Sequence, residues 1–71
     1  MKEYYYEDLL DKNIIPSDCI IFECFRCDLD KLPVLPDGLQ LLRCSNNNII
    51  ELPELPNGLT ELYCHFNKIS I

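Results

Sequence analysis

Positive charge is scarce in this sequence. Only six of the 71 residues are Lys or Arg (Lys2, Lys12, Arg26, Lys31, Arg43 and Lys68), scattered against twelve Asp and Glu for a net charge of -6. Phosphate-led binding to nucleic acid needs clustered cations, so that class is excluded. The acidity itself reads as a well-solvated surface. Long apolar runs are also missing. The longest is Cys19-Ile20-Ile21-Phe22, and acidic residues interrupt MKEYYYEDLLDK, so neither a membrane span nor a signal peptide is expected. The chain is expected to stay in a reducing, cytoplasmic compartment with its five cysteines as thiols.

Two further shortages bear on chemistry. There is one histidine, His65, and one C-x-x-C, Cys24-Phe25-Arg26-Cys27. A zinc knuckle needs a second pair, but Cys19, Cys44 and Cys64 each stand alone, so no metal ligand is assigned. His65 follows Cys64 directly, which in a strand puts the two on opposite faces and argues against a Cys-His nucleophile. The carboxylates show no convergent pair. No catalytic residue and no cofactor is expected, and the chain reads as a non-enzyme.

What is present is repetition. LPVLPDGLQLLRCSNNNIIE, residues 32–51, is followed by LPELPNGLTELYCHFNKISI, residues 52–71, with ten identities in twenty positions. Those identities are apolar, Pro, Gly, Cys or Asn, while the varying positions are mostly polar. A degenerate copy, KNIIPSDCIIFECFRCDLDK at residues 12–31, keeps Pro16 and Cys24 and fills the apolar slots with Ile15, Cys19, Phe22 and Leu29. Residues 1–11 precede the copies, and Tyr6, Leu9 and Leu10 at helical spacing predict a short N-terminal helical cap.

The frame Leu39, Leu42, Cys44, Asn47, Ile49, repeated as Leu59, Leu62, Cys64, Asn67, Ile69, resembles the leucine-rich repeat. The leading LPxLP and the twenty-residue period are similar to the short class in bacterial YopM- and IpaH-type effectors, and to Cys-bearing versions in giant viruses of amoebae. The resemblance covers residues 12–71. It implies a leucine-rich-repeat solenoid of α/β class, with a three-stranded parallel sheet on the concave side and an extended, polyproline-like convex side. It also implies a protein-binding role. The ubiquitin-ligase activity of IpaH-type effectors belongs to a separate domain with a Cys-x-Asp nucleophile, and no Cys here is followed two residues later by Asp.

The residues support that frame on their own. Strand alternation turns Leu62 and Cys64 to one face and Glu61, Tyr63 and His65 to the other. Asn47 and Asn67 fall where the chain leaves the strand, where an amide can both donate to and accept from bent backbone. Prolines 33, 36, 53 and 56 favour extended chain, and Asp37-Gly38 and Asn57-Gly58 signal turns. All five cysteines then fill repeat slots as small buried hydrophobes. Stacked copies would put successive cysteine Cα atoms about 4.8 Å apart, within disulfide reach. In-register side chains in a reducing compartment still favour thiols.

The expected binding surface is therefore the outward row: Ile21, Glu23 and Phe25; Leu41, Arg43 and Ser45; Glu61, Tyr63 and His65. Phe, Tyr and Arg are enriched in binding hot spots. Three five-residue strands give a face of roughly 240 Å², against about 800 Å² per partner in a standard interface, so edges or loops must contribute. Nothing in the sequence covers the last copy, whose Leu59, Leu62, Cys64 and Ile69 would lie at an open end. That end, up to Ile71, is expected to be buried, most simply against a second copy. The rival readings are a self-associating structural solenoid and a substrate-recognition fragment of a larger effector.

Overall fold

The computed structural model describes residues 2–69. It contains four short strands: β1 (Glu3–Tyr5), β2 (Ile21–Glu23), β3 (Leu41–Arg43) and β4 (Glu61–Tyr63). They form one parallel sheet in the order β1-β2-β3-β4. Helix is limited to a single 3-10 turn, Tyr6–Asp8. Among the described residues, no helix is long and apolar enough to cross a membrane.

Register follows the sequence period. Ile21, Leu41 and Glu61 are aligned, as are Phe22, Leu42 and Leu62, and Glu23, Arg43 and Tyr63. The ladder runs past the strand ends: Gln40 N–H donates to the Ile20 carbonyl at 2.8 Å, Cys24 N–H to Arg43 at 2.8 Å and Arg26 N–H to Ser45 at 3.2 Å. The same bonds recur one copy later, from Thr60 to Gln40, Cys44 to Tyr63 and Asn46 to His65. Parallel pairing at one-period spacing thus sets every inward slot beside its counterpart. Phe22, Leu42, Cys19, Leu39, Cys24, Cys44 and Ile49 are fully buried as a result.

Asparagine closes the bends after β3 and β4. The Asn47 side chain accepts from the N–H groups of Cys27 and Leu29 and donates to the carbonyls of Cys24 and Cys44, at 2.9–3.0 Å. Asn67 does the same for Ile49, Cys44 and Cys64. Each amide therefore ties its own copy to the preceding one and satisfies backbone that no strand can reach. The Pro-Asp-Gly and Pro-Asn-Gly stretches make the expected turns, closed by Leu39 N–H to Pro36 and Leu59 N–H to Pro56, both 3.2 Å. Neither glycine has a positive φ, which is why Asp18 can stand in the same slot of the first copy. Among the described residues, the return segments carry no helix. Adjacent copies are joined there by the bridge between Ile14 and Val34 and, just after the bends, by Asn48 N–H to Leu29 and Lys68 N–H to Ile49.

Two expectations are corrected. The sheet has four strands where three were predicted, and the N-terminal segment is a strand followed by one 3-10 turn where a helical cap was predicted. Only Leu9 of the helical triplet is buried; Tyr6 is half-buried and Leu10 fully exposed. With one buried and one half-buried anchor, a segment this short does not sustain a longer helix. Tyr4 shows why a strand forms instead: it aligns with Phe22, packs against the core, and donates its hydroxyl to Asp18 at 2.8 Å. A tyrosine can cover an apolar end while its polar tip stays wet. Lys12 then holds the turn by donating to the carbonyls of Tyr6 and Glu7. The last two positions of the final copy, Ser70 and Ile71, lie outside the described residues.

Candidate functional site

The outer face of the sheet is built from two registered rows. The first reads Glu3, Ile21, Leu41, Glu61 across β1 to β4; the second reads Tyr5, Glu23, Arg43, Tyr63. An apolar pair is flanked by two carboxylates, and an ion pair is flanked by two tyrosines. Beyond the strand ends, Phe25, Ser45 and His65 continue the pattern.

The second row is internally bonded. Arg43 donates to Glu23 Oε1 at 3.3 Å, the only ion pair among the described residues, and its guanidinium lies 5.8 Å from the Tyr63 ring centre. Tyr63 donates its hydroxyl to Glu61 at 3.0 Å, and this raises the phenol pKa above its ordinary value. The Glu3 carboxyl is held below its ordinary value, first by the Glu23 carboxyl and then by the Tyr5 hydroxyl beside it. His65 meets Tyr63 and Phe66 edge-on, at 6.3 and 6.1 Å. Arg26 lies over Phe25 at 5.4 Å.

Of the predicted outward residues, Phe25, Arg43, Glu61, Tyr63 and His65 are exposed, while Ile21, Glu23 and Leu41 are half-buried. Ser45 is a correction in depth: it is expected outward as part of the contact surface, but it is 5% exposed and its hydroxyl has no hydrogen-bond partner among the described residues. The same left-handed residue follows Phe25, Ser45 and His65 (Arg26 φ 55°, Asn46 φ 61°, Phe66 φ 58°), so the corner does not set Ser45 apart. Its side chain is the shortest of the three and stands in the copy between two larger ones. Ser45 lines an open hollow with Glu23, Phe25, Arg43, Tyr63, His65 and two residues the sequence reading missed, Asn46 and Phe66. Glu3 and Tyr5 were also missed. A signal for them exists: Glu61-Leu62-Tyr63 is echoed by Glu3-Tyr4-Tyr5. The spacing hid it, because Glu3 aligns with Ile21, eighteen residues on (21 − 3), whereas later strands repeat every twenty (41 − 21).

The cysteines lie on the other side. Cys24 and Cys44 are buried and Cys64 half-buried in consecutive inward slots, and all five cysteines are free thiols. Burial raises the Cys19 thiol pKa to about 11. Cys24 keeps its proton well above the ordinary thiol range, because it shares that proton with Cys44 and because it is buried. Such thiols are poor nucleophiles. Cys64 points inward while His65 is exposed, so the two do not converge. Among the described residues, no three His, Cys, Asp or Glu side chains come together in a group that could hold a metal ion. Comparison with protein-family models, curated proteins and solved structures finds no significant match.

Proposed function

We propose that this chain is a small leucine-rich-repeat solenoid that works as a non-enzymatic protein-binding module, with the outer sheet face as its contact surface. The observation that carries this reading is the concentration of exposed Phe25, Arg43, Tyr63, His65 and Phe66 around one hollow on a rigid, hydrogen-bonded sheet. Aromatic residues and arginine on a pre-ordered scaffold lose little conformational freedom on binding, which is what makes them hot spots. The fourth strand and the Phe66 corner enlarge the face beyond the three-strand strip, easing the area shortfall noted from the sequence. In the test, affinity capture is compared between the wild type, Tyr63→Ala and a return-segment control, Glu54→Ala. A partner retained by the control and lost with Tyr63→Ala, at unchanged stability, supports the reading; equal retention by all three refutes it.

A second reading, self-association through the last copy, is favoured by one observation. Leu52, Leu59, Leu62, Cys64 and Ile69 are only partly buried and Leu55 is 37% exposed, although they occupy core slots. Sedimentation at about 100 μM separates the two readings: a monomer removes this one.

A further inference from the structure

We infer that the partner segment received by the outer face is basic, and that an arginine or lysine of that segment seats over Tyr5 between the Glu3 and Glu23 carboxylates. This inference rests on the binding reading above and names the chemistry of the partner. Three observations carry it.

The first is charge. The two registered rows hold three carboxylates, Glu3, Glu23 and Glu61, against the single guanidinium of Arg43. The whole chain carries -6. A face of net negative charge on an acidic protein attracts cations and repels acidic segments, in both encounter rate and register.

The second is that the face already holds a cation in this way. Arg43 lies between the Glu23 carboxylate and the Tyr63 ring. Across the same row, Tyr5 stands on the other side of Glu23 with Glu3 two residues before it. Carboxylate and aromatic ring are thus presented twice, once around a guanidinium and once without one. Tyr5 is 45% exposed, so its ring is open to an incoming side chain. A cation over a tyrosine face and beside a carboxylate gains from the ring quadrupole and from charge together. The half-buried Ile21 and Leu41 lie between the outer carboxylates and suit the aliphatic stem of such a side chain.

The third is the Ser45 hydroxyl, enclosed at the floor of the adjoining hollow without a partner among the described residues. Its oxygen can accept from an N–H donor of the incoming segment, and its O–H can donate to a carbonyl of that segment's backbone. Basic side chains bring donors only, and a carboxylate that already accepts one hydrogen bond, as Glu23 and Glu61 do, keeps further lone pairs for them.

An extended segment places alternate side chains on one face, so the probe is a fluorescent peptide with arginine at every second position. It is compared with the same peptide carrying glutamate, and with a neutral one carrying tyrosine. Binding is read by anisotropy and by amide shifts on the full chain. The expected result is saturable binding of the arginine peptide alone, with shifts at Glu3, Tyr5, Glu23 and Arg43. Glu3→Gln should weaken it about threefold, and the return-segment control Glu54→Gln should leave it unchanged. Equal weakening by both variants would mean diffuse attraction and overturn the inference. Binding of the tyrosine or glutamate peptide at this face, without the arginine one, overturns the inference and leaves the binding reading intact. No shift at the face with any peptide, together with a captured partner indifferent to Tyr63→Ala, overturns both.

Discussion

Leu39 and Leu59 occupy the same slot in two copies that share half their residues, yet Leu39 is fully buried and Leu59 only partly so. The difference recurs down the pair. Leu42, Cys44 and Ile49 are fully buried, while Leu62, Cys64 and Ile69 are half-buried; Leu35 is 7% exposed and Leu55 37%. The residue types are identical at every one of these positions, so burial here belongs to the neighbour. The middle copy is covered on both sides, by β2 and β4, whereas among the described residues β4 pairs only with β3. Stability in such a ladder is a sum over adjacent copies, and a residue contributes in proportion to what lies above and below it.

The widest test of this comparison is truncation of the aligned leucines. Leu42→Ala should cost about 3–5 kcal/mol, because the cavity it leaves is enclosed on every side. Leu62→Ala should cost about 1–2 kcal/mol, since part of that side chain is already wet. Urea denaturation of the pair measures both; equal costs would show that β4 is covered in solution.

The asparagines sharpen the contrast. Asn47 is 6% exposed and leaves the Cys27 and Leu29 amides and the Cys24 carbonyl without a partner if truncated. Asn47→Ala is expected to cost about 2–4 kcal/mol, and Asn67→Ala about 1–2 kcal/mol, because Asn67 and one of its partners, Cys64, are only half-buried. Hydrogen exchange at the Leu29 and Ile49 amides reports each loss locally.

The corner after the strand differs in the opposite sense. Asn46 and Phe66 both sit in left-handed backbone, at φ 61° and 58°. Asparagine tolerates this region and a bulky residue is strained there. Phe66→Asn should therefore raise the melting temperature, by about 1 kcal/mol of stability, and Asn46→Phe should lower it by a similar amount. If the exposed Phe66 ring, 77% accessible, is kept for contact with a partner, the stabilised variant will bind more weakly.

The smallest effect concerns the thiols. Cys19 titrates near 11 in the folded chain, above an unfolded value of about 8.5. Its contribution to stability is full below the lower value and is lost as pH rises through the higher one, because the unfolded chain then gives up its proton first. The Cys19 contribution to melting temperature should decline across that alkaline window and stay constant beneath it. A thiol reagent should label half-buried Cys64 before Cys44.

Much of the architecture was legible because it is written at a fixed period. Leu39, Leu42, Cys44 and Asn47 mark the strand, its inward face and its bend, and the structure keeps all of them. Three things were not legible, each for a physical reason. β1 lies off the period by two residues, so a search in steps of twenty passes over it. Ser45 does alternate to the outer face, but alternation gives direction and not depth, and a side chain this short is covered by the larger ones of the copies beside it. Arg26 and Phe66 disguise the left-handed corner after the strand, because neither is a residue type that favours positive φ.

The reach of Asn47 has a genetic consequence. Its bonds end on Cys24, Cys27 and Leu29, and Asn67 meets Cys44 and Ile49 in the same way, so every tie between copies spans about one period of sequence. An in-frame duplication of the codons for residues 32–51 therefore inserts a unit whose asparagine finds the same partners in the copy before it. A slip of one codon does the reverse, turning leucine and cysteine to water and the charged row to the core. A gene built this way can lengthen or shorten by whole units within a folding protein, and its product widens or narrows its surface one strand at a time.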